Sequence, residues 1–106
     1  MTRDAQGGPD ISVIVAVGRE DFSRCLASLL DQDFSRDRYE VILASDRGAG
    51  LPPSAGAVVV PVAGENPSVK RNAGARRARG RILAFIDDDA WARRDWLANG
   101  FRFLKE

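Results

Sequence analysis

The chain has 106 residues, 44% of them hydrophobic and 29% charged, with a formal net charge of +1. That length fits one small domain, and the near-neutral balance supplies no global field for nucleic acid or a membrane surface. There is a single cysteine, Cys25, and no histidine, which excludes an intrachain disulfide, a His-based catalytic triad and a His-containing zinc site within this chain.

Residues 1–10 are polar and glycine-rich and read as a flexible tail. Ile11-Ser12-Val13-Ile14-Val15-Ala16-Val17 then has the apolar pattern of a buried strand, and Gly18 breaks it. Phe22, Leu26, Leu29 and Leu30 recur at helical spacing, with Cys25 in the same stripe as a small core residue. Glu20 and Asp21 are expected in the first turn of that helix, where they complement its dipole. A polar connection over 31–38 leads to a second strand, Tyr39-Glu40-Val41-Ile42-Leu43-Ala44. Residues 45–56, rich in glycine and proline, read as loop. Ala57-Val58-Val59-Val60-Pro61-Val62 is a third strand, which its proline places at a sheet edge. Asn66-Pro67 is the signature of an N-cap followed by proline at the first helical position, and the helix is expected to run to about Arg79, with Gly80 ending it. Arg81-Ile82-Leu83-Ala84-Phe85-Ile86 has the continuous apolar character of a strand buried on both faces. A last helix begins near Asp95, with Trp96, Leu97, Phe101 and Leu104 available for its apolar side. Strands alternating with helices predict an α/β fold: a doubly wound, mostly parallel sheet with helices on both faces.

The fourth strand runs directly into Asp87-Asp88-Asp89. Ligands of open α/β sheets bind just outside the carboxyl ends of the strands, so a dense negative cluster falls where such folds do their chemistry. Adjacent carboxylates repel one another unless something positive lies between them. A divalent cation such as Mg²⁺ or Mn²⁺ is the simplest partner, with hard oxygen ligands and few carboxylates. Aspartates also occupy solvated loops and cap helices, so the cluster gains meaning from its surroundings.

One such surrounding is the basic helix before it. No acidic residue lies between Glu65 and Asp87, whereas Lys70, Arg71, Arg76, Arg77, Arg79 and Arg81 do. Arg76, Arg77 and Arg79 suit a solvated face near a helix C-terminus. Lys70 and Arg71 stand in the first turn, where cations oppose the dipole, which points to a second role such as phosphate binding. A cation held by Asp87 or Asp89 and bridging two phosphates would stabilise a diphosphate leaving group. No Gly-x-Gly-x-x-Gly follows the first strand and no Gly-x-x-x-x-Gly-Lys-Ser/Thr occurs, which argues against dinucleotide and P-loop sites.

The ordered set Ile11-Ser12-Val13-Ile14-Val15, Ser28-Leu29-Leu30-Asp31-Gln32, Tyr39-Glu40-Val41-Ile42-Leu43, Lys70-Arg71-Asn72-Ala73-Gly74, Ile82 to Asp89 and Asp95-Trp96-Leu97 resembles the N-terminal half of a family 2 glycosyltransferase. The resemblance covers most of residues 11–106. It implies a GT-A, Rossmann-like fold with strand order third, second, first, fourth. It also implies transfer of a sugar from a nucleotide-diphospho-sugar to an acceptor hydroxyl, with inversion. The family's Asp-x-Asp motif falls on Asp87-Asp88-Asp89: Asp89 would ligate the Mn²⁺ or Mg²⁺, and Asp87 would contact the metal or the ribose. Asp46, Arg71, Asn72, Asp87 and Asp88 would form the donor site, with Asp46 reading base or ribose. The family's usual residues differ at Ala16, Val17, Ser45 and Arg47-Gly48, which leaves the base unspecified.

By the same resemblance, acceptor recognition and the catalytic base lie beyond residue 106. The chain then corresponds to a donor-binding half, as a truncated reading frame or an excised fragment, inactive alone. A non-catalytic nucleotide-sugar module acting with another chain is the alternative, and a nucleotidyltransferase-like protein a weaker third. The acceptor is a sugar, lipid or other hydroxyl, and nucleic acid is not an expected partner. Without a signal-peptide pattern or a membrane-length apolar run, the expected location is cytoplasmic, or at a membrane if these residues belong to a longer protein. The resemblance further implies that strands from the missing half continue the sheet past the fourth strand, which lacks charge or proline between its ends and would here be an open edge, so that the chain self-associates or needs a partner supplying those strands.

Overall fold

Two unbroken apolar strands take the middle of the sheet. In the computed structural model, which describes residues 8–19, 21–46 and 56–105, β1 (Ile11–Val17) and β2 (Tyr39–Ser45) are buried almost throughout. They are flanked by β3 (Ala57–Pro61) beyond β2 and β4 (Ile82–Asp87) beyond β1, giving the order β3-β2-β1-β4. All three pairings are parallel. The helices are α1 (Ser23–Leu30), α2 (Pro67–Arg77) and α3 (Trp96–Lys105), with a 3₁₀ turn at Arg36–Arg38. This is the expected doubly wound sheet, and Pro61 does stand on an edge strand. The readings of Glu20 and of the loop over 47–55 lie outside the described residues.

Side-chain alternation divides the sheet between two helix layers. Val13, Val15 and Val17 of β1 and Val41 and Leu43 of β2 join Cys25 and Leu29 of α1 and Leu97 of α3 in one buried cluster. Gln32 ties these helices together: its Nε2 donates to the Ser28 and Arg93 carbonyls, and its Oε1 accepts the Leu97 amide at 3.0 Å. The opposite face belongs to α2. There Gly74 lies so close to the sheet that an added Cβ would stand 2.6 Å from Ile14 Cγ2.

At the amino ends of the strands a buried polar network replaces apolar packing. Ser12 Oγ donates to Glu40 Oε2 at 2.6 Å, the same oxygen accepts the Arg79 amide at 2.7 Å, and Ser12 Oγ accepts the Gly80 amide at 2.8 Å. Every partner satisfies another, which makes such burial tolerable.

Several local expectations change. Asp10, assigned to the tail, is buried: its amide donates to the Arg38 carbonyl, its carbonyl accepts from Arg81 and Ile82, and its carboxylate meets Arg38 Nε at 2.8 Å. Helix α1 starts at Ser23, so Asp21 precedes it, accepting from the Ser23 amide and hydroxyl. These bonds hold the Asp21 carboxyl below its usual range. The Asn66 cap forms as expected, its Oδ1 accepting from Ser68 and Val69, but α2 ends at Arg77. Gly80 serves a different purpose: a Cβ there would lie 2.7 Å from the backbone of Ile11 and Ser12, so only glycine allows this approach. Leu104 of α3 is 61% exposed and does not join the core.

The largest correction concerns β4. It is not buried on both faces: its residues alternate between partly buried and exposed. Ile82, Ala84 and Ile86 pack on the α1 and α3 side, whereas Leu83 and Phe85 on the other side are 42% and 47% exposed. Helix α2 lies over β1 and β2 and does not reach across to cover them.

Candidate functional site

The carboxyl ends of β1 and β4 and the start of α2 surround an open cleft of about 430 Å³, lined by residues that include Arg19, Glu65, Lys70, Arg71, Asp87, Asp88 and Asp89. Its position follows from the topology, because parallel strands bring all their carboxyl ends to one side. Asp87 ends β4, and Asp88 and Asp89 occupy the turn that follows.

The three aspartates play different parts. Asp88 turns inward, its side chain 15% exposed, and its Oδ2 accepts the Gly18 amide at 2.8 Å and the Arg19 amide at 2.9 Å. It therefore holds the chain leaving β1 against the end of β4. Asp87 and Asp89 point outward, with side chains 71% and 58% exposed. Asp87 Oδ1 lies 3.3 Å from Arg71 Nη2, and Asp89 Oδ2 lies 3.9 Å from Arg19 Nη2. Arg19, which immediately follows the break at Gly18, was not anticipated as part of the site. A cation just past a strand end is the signal that marks it.

Lys70 differs most from its expected role. It is 2% exposed, and its Nζ donates to the Val17 carbonyl at 2.8 Å and to Asp46 Oδ1 at 2.9 Å. This ammonium is a buried strut between the ends of β1 and β2, and it holds the Asp46 carboxylate. Arg71, next along the helix, reaches the cleft. Asn72 is exposed on α2 and is not among the residues lining the cleft. So Arg71, Asp87, Asp88 and Asp89 line the cleft together, whereas Asp46 bonds to Lys70 without lining it and Asn72 lies outside it.

Beneath the aspartates, the Cys25 thiol donates to the Asp87 carbonyl at 3.5 Å. Burial pushes its pKa up to about 11, and the charges of Asp88, Asp89 and Asp87 add to the effect. Among the described residues no group of three Cys, Asp or Glu side chains converges to hold a metal. The outward carboxylates instead suit a hard cation that takes one or two protein oxygens and completes its shell from a ligand's phosphates.

A parallel α/β sheet with charged groups gathered at its strand ends is the nucleotide-binding architecture in general terms. Solved structures refine this. The S. aureus TarS 1-349 structure superposes with a TM-score of 0.75 at 21% identity, covering 91% of this chain and 32% of that one. The same TarS region crystallised with UDP-GlcNAc gives 0.77 at 22% identity, covering 91% of this chain and 31% of that one. The fold is therefore that of the GT-A enzymes. Glycosyltransferase EpsH of Bacillus subtilis (strain 168), a putative assignment in its own description, is 32% identical over 99 residues, spanning 83% of this chain and 28% of its own length. The sequence model described as Glycosyl transferase family 2 matches residues 54–106. The chain belongs to glycosyltransferase family 2. It spans under a third of the length of these relatives.

Proposed function

We propose that this chain binds a nucleotide-diphospho-sugar at the cleft and forms the donor side of a glycosyltransferase acting on an acceptor hydroxyl, with inversion. The observation that carries the reading is the placing of Asp87 and Asp89, outward and solvent-accessible, opposite the Arg71 guanidinium at the sheet's carboxyl end. Family membership supports the reaction class, and TarS, solved with UDP and with UDP-GlcNAc, supports this ligand type.

In this reading Asp89 and Asp87 hold Mn²⁺ or Mg²⁺, which supplies Lewis-acid stabilisation of the departing diphosphate when bound. Arg71 offers a planar, permanently charged donor set to the phosphates. Asp46, oriented by Lys70, faces the ribose or base. Asp88 acts through the backbone it holds at Gly18 and Arg19, and is a positioning residue.

The test is calorimetric titration of the chain with nucleoside diphosphates, with and without Mn²⁺. Metal-dependent binding is expected, lost in Asp89→Asn and weakened in Asp87→Asn. Equal affinity with and without the ion in the parent chain would remove the metal assignment. An assay of residues 1–106 with donor and acceptor separates the enzyme reading from that of a binding module. Inverting transfer needs a positioned general base. We expect no transfer by this chain alone.

A further inference from the structure

Arg19 stands among the aspartates of the cleft, and its two ends are held differently. Its amide is fixed, donating to Asp88 Oδ2 at 2.9 Å. Its guanidinium is not: Nε lies 3.7 Å from Asp88 Oδ1 and Nη2 lies 3.9 Å from Asp89 Oδ2, beyond the roughly 2.7–2.9 Å of a charge-assisted hydrogen bond. We propose, resting on the donor reading of the cleft, that Arg19 is an exchangeable counter-ion. It pairs with Asp89 until a divalent cation takes that carboxylate, and is then released to bind the donor's diphosphate.

The chain order explains why a counter-ion is needed. Asp87, Asp88 and Asp89 follow one another, and adjacent carboxylates repel unless positive charge lies between them. Asp87 has Arg71, whose Nη2 donates to its Oδ1 at 3.3 Å. Asp88 has the Gly18 and Arg19 amides. Asp89 has the Arg19 guanidinium. That last pairing is loose enough to exchange. An ion pair held without a hydrogen bond is worth little. A divalent cation in direct contact with a carboxylate oxygen brings twice the charge at a shorter separation, so it displaces the guanidinium.

The surroundings give the displaced side chain a second place. The cleft and a smaller hollow of about 150 Å³ on its α1 side share Arg19, Asp88 and Asp89 as walls. Arg19 therefore stands on the ridge between the two. Rotation about its side-chain bonds carries the guanidinium from one to the other while Asp88 keeps the backbone still. On the α1 side it also lies within range of Asp21. The Ser23 hydroxyl and amide hold that carboxyl below its usual range, and the charge of Arg19 adds a smaller contribution. On the cleft side stands Arg71 of α2. A diphosphate there would be met from two sides, by Arg19 at the end of β1 and by Arg71, each a planar donor fork suited to phosphate oxygens.

The experiment compares the full chain with Arg19→Gln and Arg19→Lys, each first checked for folding by a thermal melt. Two titrations are read. Mn²⁺ alone is followed through the electron paramagnetic resonance of the free ion, and UDP at saturating Mn²⁺ is followed by calorimetry. Exchange predicts opposite signs. Arg19→Gln should bind Mn²⁺ alone about two- to fivefold more tightly, because a competing cation is gone. It should bind UDP roughly tenfold or more weakly, because a charged hydrogen-bond donor to phosphate is lost. Arg19→Lys keeps the charge and should keep the parent's Mn²⁺ affinity, but recover only part of the UDP affinity, since an ammonium lacks the planar fork. A parent that binds both ligands, with Arg19→Gln equal to it in either titration, would overturn the exchange alone. Full recovery of UDP affinity in Arg19→Lys would do the same, reducing Arg19 to a distant field. A parent that binds neither Mn²⁺ nor UDP would overturn the donor reading, and the exchange with it.

Discussion

Asp88 and Gly18, 70 residues apart in sequence, are joined through one carboxylate oxygen that also takes the Arg19 amide. The end of β4 thereby shapes the exit of β1 at the cleft. Asp88→Ala should cost about 1 kcal/mol of stability, the net scale of hydrogen bonds whose exposed amides water can take over. It should also reduce nucleotide affinity. Urea denaturation and the calorimetric titration measure the two effects separately, and unchanged stability would show that the carboxylate is dispensable to the loop.

Lys70→Met keeps the volume and removes the ammonium. Asp46 and the Val17 carbonyl then lose a common partner. A loss of about 2–3 kcal/mol is expected, below that of a fully buried pair because Asp46 keeps partial access to water. If denaturation midpoints do not move, the strut is not a source of stability.

The two close-approach glycines should rank by what they meet. A methyl at Gly74 encounters the Ile14 side chain, which has some freedom to shift; a methyl at Gly80 encounters backbone of β1. Gly74→Ala should cost roughly 1–3 kcal/mol and Gly80→Ala more. The reverse order in thermal melts would contradict the packing described.

Cys25 supplies a pH dependence. Burial raises its folded pKa to about 11 from the ordinary thiol value of 9.0, so between these values the folded protein keeps a proton that the unfolded chain releases. Stability should therefore be unaffected by this group below about pH 9 and fall as the pH rises toward 11. Alkylation by iodoacetamide should be slow at neutral pH, since thiolate is the reactive form. Rapid labelling of the folded chain at pH 7 would show the thiol to be accessible.

Much of this architecture is visible in the sequence because its signals are local. The apolar runs of β1 and β2, the proline of β3 and the Asn66-Pro67 cap each carry their own structural instruction. The exposure of Leu83 and Phe85 is not local: an apolar run reads alike whether a helix covers one face or both. The burial of Lys70 depends on Val17 and Asp46, distant in sequence, and only its odd place in a first helical turn hinted at a special role. Asp88 was legible as a member of the acidic triplet, but its inward turn depends on the geometry of Gly18. Asn72 shows the converse, a residue adjacent in sequence to Arg71 yet outside the cleft.

The chain contains two lysines, Lys70 and Lys105, and the fold treats them unequally. Lys105 lies exposed at the end of α3, whereas the Lys70 amine is sealed at the junction of three elements. An amine-acylating reagent should mark Lys105 quickly and Lys70 only when β1, β2 and α2 part. The lag between the two modifications, read by mass spectrometry, is then a clock for how often the carboxyl end of the sheet comes open.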